Sequence, residues 1–178
     1  LQLVLRRFRR PGPTLTMDGS GFEQRFDTYR EYTAAMLQTL DSAAGELCVF
    51  DPDLSRTGLE STQGVAHIQR LLLASRQARL RIVLHDTAHL ETRCPRLLDA
   101  LARFSHCFEV RQSPDDLRNL TECYLLTGND TGVVRFHRDW PRGKWFVANP
   151  DEAGTWLSRF RQLWECSTPA VSATRLGL

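Results

Sequence analysis

Long apolar runs, lysine and closely spaced cysteines are absent or nearly absent from this 178-residue sequence. No apolar run approaches the roughly 18 to 20 residues that cross a bilayer, so we expect no interaction with a membrane. Lysine occurs only at Lys144. The five cysteines are an odd number without C-x-x-C spacing, which is typical of reduced thiols in the cytoplasm. We therefore expect a cytoplasmic protein with no metal and no cofactor.

The composition is that of a globular protein. There are 23 Lys+Arg against 21 Asp+Glu, a formal net charge of +2, and 42% of the residues are hydrophobic. The length favours one domain with its own core, which we predict over 20–168, with a flexible tail over 169–178. A basic, flexible arm is predicted over 1–19. The arm carries four arginines, Arg6, Arg7, Arg9 and Arg10. Either they contact phosphates, or they belong to an unstructured tail ahead of Met17.

Helical and extended patterns alternate along the chain. Apolar residues at three- and four-residue spacing predict helices over 22–40, 62–77 and 95–104, the first with Ser20 as N-cap and Glu23 in a capping box. Short apolar runs predict strands over 46–52, 80–86 and 107–112. Segments 122–128 and 132–139 then predict a hairpin, which 144–150 extends, and a last helix begins beside Pro150. This β-α-β-α-β order indicates an α/β fold with a largely parallel sheet between helices.

The last helix carries the residues that point to a known family. Phe160, Trp164 and Ser167 follow the pattern of a phenylalanine, a tryptophan four residues later and a small polar residue. With the segments CVFDPDLS and ARLRIVLHD and the order of elements, they resemble a half-domain of the phospholipase D-like superfamily over roughly residues 22 to 168. The resemblance implies a mixed, mostly parallel sheet, a β-hairpin and a closing C-terminal helix. The rings of Phe160 and Trp164 should stack and pack on the sheet.

The catalytic motif of the superfamily, H-x-K-x4-D, is missing from this sequence. The resemblance implies a histidine that attacks phosphorus and a lysine that neutralises the phosphate oxygens. At the matching positions stand Leu120, Glu122 and Thr127. A shift in register does not help, since no histidine lies between His106 and His137. We therefore expect the activity of the family to be lost.

Charged residues at the ends of the predicted strands form a candidate ligand site, because open α/β sheets bind ligands at that edge. The candidates are Asp51, His85, Asp86 and Arg111, with Arg135 and His137 on the hairpin. They could hold a phosphate or perform acid–base chemistry. In the alternative, the aspartates cap loops, His85 is hydrogen-bonded and Arg135 pairs with an acid. His85 and His89 are spaced as in a zinc-binding helix, but His85 ends a strand, so no zinc site is predicted.

The predicted hairpin also carries the most basic local segment of the globular region, RFHRDWPRGKW. Its candidate residues for nucleic acid are Arg138, Trp140, Arg142 and Lys144, because single strands bind where aromatic rings lie beside cations. The alternative is an ordinary solvated loop.

Three functions are compatible with these patterns. The preferred one is a catalytically degenerate phospholipase D-like domain that acts as a binding or regulatory module for a phosphate-bearing or nucleic-acid ligand. The second is a hydrolase or phosphodiesterase with a non-standard site around His85, Asp86 and His137. The third is a structural dimerisation domain, since active members of the superfamily pair two half-domains; the partner would be a second copy or another protein.

Overall fold

The computed structural model describes residues 21–171, which form one eight-stranded sheet with helices on both faces. The strands are β1 (Phe22–Phe26), β2 (Glu46–Asp51), β3 (Arg79–Leu84), β4 (Phe108–Gln112), β5 (Cys123–Thr127), β6 (Thr131–His137), β7 (Trp140–Val147) and β8 (Thr168–Val171). The helices are α1 (Tyr29–Ser42), α2 (Thr62–Ala74), α3 (Ala88–Arg93), α4 (Pro95–Arg103) and α5 (Pro150–Cys166). Within 21–171, no helix is both long and apolar enough to cross a membrane.

The sheet is mixed, with the order β1-β7-β6-β5-β2-β3-β4-β8. Only β2–β3 and β3–β4 are parallel, whereas the other five pairings are antiparallel. The prediction of a mostly parallel sheet was therefore wrong. The predicted β-α-β-α-β order does form the parallel strands β2, β3 and β4. The remaining pairings are antiparallel, and the apolar character of their strands reports burial on both faces and not strand direction.

Two apolar clusters lie on opposite faces of this sheet. Along β2, Leu47 and Val49 belong to the cluster under α1, α2 and α4, while Cys48 and Phe50 belong to the cluster under α5. This alternation follows from the two-residue period of a strand. As predicted, the α5 rings of Phe160 and Trp164 stack, with centroids 5.8 Å apart, and both are buried.

The first predicted helix begins too early. Residues 22–26 form β1, which pairs with β7 at the edge of the sheet. Helix α1 begins only at Tyr29, because Thr28 is its N-cap: the Thr28 hydroxyl oxygen accepts the backbone N–H of Glu31. The Glu31 carboxylate in turn accepts the Thr28 hydroxyl and the backbone N–H of Asp27. This capping box replaces the predicted one. Ser20 and the basic arm lie outside the described residues.

Two further elements differ from the predictions. Residues 88–93 form the short helix α3, which was not predicted. Residues 168–171 form β8, which pairs antiparallel with β4, so the chain is ordered past the predicted start of the tail at 169. Pairing holds one side of this edge strand against β4, and Val171 is buried against the core.

Candidate functional site

Arg135 and Asp51 form a buried ion pair at the carboxyl end of β2. Both side chains are 2% exposed, and Arg135 Nη2 lies 3.4 Å from Asp51 Oδ2. The same nitrogen donates to the thiol of Cys123 at 3.2 Å. Asp51 Oδ1 accepts the backbone N–H groups of Leu54 and Asp53 at 2.8 and 3.2 Å. The carboxylate thus fixes the loop after β2, where Leu54 has a φ of 70°, and faces the guanidinium.

Two tyrosine rings from α1 pack against the guanidinium of this ion pair. The Arg135 guanidinium lies 4.9 Å from the centroid of Tyr32 and 5.7 Å from that of Tyr29. Burial raises the pKa of Asp51, against the opposing effects of Arg135 and the two backbone donors. Burial also raises the pKa values of Cys123 and Tyr32. The thiol and the phenol therefore stay protonated near neutral pH, and the cluster offers no activated nucleophile.

His85, at the end of β3, is committed to two hydrogen bonds inside the fold. Its Nδ1 lies 2.6 Å from Ser113 Oγ and its Nε2 lies 3.0 Å from the Leu120 carbonyl. A carbonyl only accepts, so Nε2 carries the proton and Nδ1 accepts from the hydroxyl. Burial lowers the pKa of His85, and Arg138 and Arg118 add to that effect. The neutral imidazole therefore hydrogen-bonds to both ends of the connection between β4 and β5, at Ser113 and at Leu120.

Asp86 and His137 are held in local turns. The exposed Asp86 carboxylate accepts the N–H of Ala88 at 2.8 Å and so caps the loop before α3. His137 Nδ1 accepts the N–H of Asp139 at 3.2 Å. In the described part of the chain, no hydrogen bond or ion pair joins these two residues to each other or to His85.

Arg111 lies away from the strand-end residues, on the face of the sheet covered by α5. Its guanidinium is 4.2 Å from the centroid of the Trp164 ring and donates to the Trp164 carbonyl at 3.0 Å. Its Nε donates to Glu109 at 2.7 Å. Of the six predicted strand-end residues, the structure joins only Asp51 and Arg135, and residues 21–171 contain no group of three or more side chains suited to hold a metal.

Of the three residues predicted to stand at the motif positions, Leu120 and Glu122 make polar contacts within the fold. The Leu120 carbonyl accepts from His85. Glu122 forms an ion pair with Arg159 of α5 at 3.3 Å. The Thr127 hydroxyl is buried and has no hydrogen-bond partner among the described residues.

The β6–β7 hairpin carries two aromatic and two basic side chains, which we call the hairpin surface: Phe136, Arg138, Trp140 and Arg142. Arg138 is half-buried and the other three are exposed. Phe136 is 46% exposed and Trp140 is 65% exposed. The register of the β6–β7 ladder shifts by one residue between the pairs Arg135–Gly143 and His137–Trp140. Two residues of β7, Pro141 and Arg142, therefore lie opposite the single residue Phe136. Such a β-bulge redirects side chains at the end of a ladder.

Lys144, the fourth predicted residue of this surface, is not available there. Its ammonium group lies 2.9 Å from Glu152 and 3.4 Å from Glu23, and the side chain is mostly buried. The two carboxylates neutralise it. Phe136 was not among the predicted residues of this surface. The signal that could have found it is Pro141, which cannot donate to the ladder and is typical of bulges.

An open groove of about 470 Å³ lies between the hairpin and the β1–α1 connection. It forms because β1 pairs with β7 only as far as Phe26–Gly143, while the hairpin continues beyond that point. Gly143 is required here, because a Cβ would collide with the Val134 carbonyl and the Phe26 ring. The groove is lined, among others, by Arg25, Asp27, Glu31, Phe136 and Arg142.

Solved structures with this fold share little sequence with the chain. Nuc from Salmonella typhimurium, a phospholipase D family member, has a TM-score of 0.58 at 13% identity, over 84% of this chain and 98% of that chain. NucT from Helicobacter pylori has a TM-score of 0.59 at 9% identity, over 83% and 98%. TrmBL2, an archaeal chromatin protein, has a TM-score of 0.60 at 12% identity, over 87% of this chain; the chain spans 56% of its length.

These similarities show a phospholipase D-like α/β fold. Comparison with curated proteins gives no match. A family model described as a domain of unknown function, DUF7931, matches residues 28–176, which is most of the chain. The chain therefore belongs to the DUF7931 family.

Proposed function

We propose that this chain is a non-catalytic phospholipase D-like binding module whose ligand is single-stranded nucleic acid, held on the hairpin surface. The observation that carries the proposal is the exposure of Phe136 and Trp140. They are two of the three exposed large hydrophobic side chains within 21–171, the third being Leu73 on α2. Both lie on one hairpin, which also carries Arg138 and Arg142.

The chemistry of this surface suits a single strand. Unpaired bases stack on aromatic side chains whatever their sequence, while arginines neutralise the phosphates between them. Trp140 pairs with His137, the neighbour of Phe136, so Trp140 and Phe136 provide one stacking position on each face of the hairpin. The exposed Arg142 has no hydrogen bond or ion pair among the described residues, and Arg138 donates only to the backbone carbonyl of Arg118. Neither guanidinium is paired with a carboxylate there, so both are available to phosphates.

The side chains at the sheet edge support a non-catalytic role. Both ring nitrogens of His85 are hydrogen-bonded within the fold, and Glu122 stands where the motif needs a lysine. The relatives are compatible with a nucleic-acid ligand, since TrmBL2 is a chromatin protein with a novel mode of DNA binding. That likeness extends only to the fold, so the exposed side chains of this chain carry the argument.

The test is titration of a fluorescent 12-nucleotide single strand, followed by anisotropy. Wild type should bind, and its affinity should fall as salt rises, because neutralised phosphates release counterions. Trp140→Ala should raise Kd about fivefold to 150-fold, which corresponds to the roughly 1–3 kcal/mol of one stacked base. Arg142→Ala should reduce the slope of log K against log salt by about 0.7, the value for one phosphate of a single strand.

Two variants serve as matched controls. Leu73 has the same 65% exposure as Trp140, so Leu73→Ala removes an equally exposed apolar side chain elsewhere and should leave Kd unchanged. Arg76 is exposed before the amino end of β3, at the opposite edge of the sheet from the hairpin turn, so Arg76→Ala should leave the salt slope unchanged. Absence of salt-dependent binding, or equal effects of Trp140→Ala and Leu73→Ala, would refute the proposal.

A further inference from the structure

The groove beside the hairpin brings together three kinds of chemistry that a nucleotide requires. Phe136 offers an aromatic face, Arg142 and Arg25 offer cations, and Asp27 and Glu31 offer carboxylate oxygens. The volume of about 470 Å³ lies within the range of small-molecule sites. A surface that only followed the phosphate chain would have no use for two carboxylates, which repel phosphates. A carboxylate in the groove that is not already used within the fold would therefore suit a donor on the ligand.

The two carboxylates differ in the number of hydrogen bonds that they already accept within the fold. Glu31 Oε2 already accepts from the hydroxyl of Thr28 at 2.8 Å and from the N–H of Asp27 at 3.3 Å. It belongs to the cap of α1. The Asp27 side chain is exposed, and no donor within 21–171 is hydrogen-bonded to its carboxylate. Asp27 is therefore the acceptor in the groove that is free to meet a ligand.

We propose that this groove receives one unstacked base and that Asp27 selects a base with an amino donor, cytosine over uracil. The inference rests on the proposed function. A carboxylate accepts a hydrogen bond from the N4 amino group of cytosine. Uracil has a carbonyl oxygen at the same place, so the carboxylate would face a second acceptor and both would lose water without a hydrogen bond. Phe136 supplies the stacking face, and Arg142 and Arg25 neutralise the adjoining phosphates.

The experiment compares oligo(dC) and oligo(dU) of 12 nucleotides at pH 7.5, which share the same backbone and differ only in the base. Wild type should bind oligo(dC) at least fivefold more tightly. Asp27→Asn should bring the ratio of the two Kd values close to one, because an amide presents both a donor and an acceptor. Asp99→Asn makes the same change of charge at an exposed position of α4 and should preserve the preference.

The outcomes separate the two proposals. If both oligonucleotides bind with equal Kd, or if the preference survives in Asp27→Asn, the selection of bases by Asp27 is wrong while nucleic-acid binding stands. If neither oligonucleotide binds, the proposed function fails and the inference fails with it. If Asp99→Asn abolishes the preference as well, the effect is one of net charge, and the assignment to Asp27 is wrong.

Discussion

Neutralising Asp51 tests the buried ion pair most directly. In Asp51→Asn the two backbone donors keep an amide oxygen as acceptor, but Arg135 loses the only carboxylate within 4 Å in the described structure. Breaking a buried pair from one side typically costs about 3–5 kcal/mol. The pair distance of 3.4 Å is long, and Arg135 retains the Arg138 carbonyl and the Tyr32 ring. We therefore expect a loss near the lower limit, about 3 kcal/mol of the free energy of unfolding.

The double variant distinguishes pairing from packing. Arg135→Met replaces the guanidinium with an apolar chain and leaves a buried carboxylate, whose pKa burial raises. Asp51→Asn with Arg135→Met removes both charges, and replacement of a whole buried pair is often close to neutral. The double variant should therefore be less destabilised than the sum of the single variants by at least about 1 kcal/mol, the coupling expected of residues in contact.

Urea unfolding monitored by tryptophan fluorescence measures these differences, since Trp145 and Trp164 are buried. The urea concentration at the midpoint of unfolding should change, while the slope of the free energy of unfolding against urea stays constant, as expected when the mutations change only stability. A loss below about 1 kcal/mol in Asp51→Asn, or strict additivity in the double variant, would show that the guanidinium gains nothing from the carboxylate. The reasoning about this cluster would then be refuted.

Three further predictions concern packing, pH and catalysis. Trp164→Ala removes a buried ring and should cost about 3–5 kcal/mol, whereas Trp140→Ala should hardly change Tm; equal Tm values would contradict the docking of α5. Since burial lowers the pKa of His85 from 6.5, the unfolded chain takes up a proton that the folded chain refuses as pH falls below about 6.5. The stability advantage of wild type over His85→Asn should therefore shrink between pH 7.5 and 5, and a constant difference in urea unfolding would contradict this. Purified protein should not hydrolyse bis(p-nitrophenyl) phosphate, and turnover abolished by His85→Asn would restore the hydrolase alternative.

The sequence located the central strands and most helices because their apolar periods are unambiguous. It failed at β1, where Phe22 and Phe26 are four residues apart and satisfy a helical and an extended pattern equally well. The deciding signal was Thr28 with Glu31, a capping box that places the start of α1 after both phenylalanines. The antiparallel β5–β6 hairpin was predicted and is confirmed. The antiparallel pairing of β5 with β2 could not be inferred, because burial on both faces erases the alternation of an antiparallel ladder.

The contacts of Asp51 and Arg135 follow from their complementary charge, whereas contacts set by strand pairing could not be predicted from the sequence. The alternative in which Arg135 pairs with an acid and Asp51 caps a loop matches the structure. Lys144 was misplaced because its partners, Glu23 and Glu152, are 121 and 8 residues away along the chain. The groove was missed for the same reason, since its two walls meet only when β1 joins β7.

The pairing of β1 with β7 also sets the order in which this molecule can be completed during synthesis. Phe22 lies opposite Val147, a separation of 147 − 22 = 125 residues. At about 5–20 residues per second, a ribosome needs roughly 6 to 25 s to make that length of chain. For this interval β1 has no neighbour, although α1, β2, α2 and β3 already have one another. Strand β1 is thus the earliest described strand to be synthesised, but it can pair only after β2 to β7 have all been made. Only a chain translated past β7 possesses the groove.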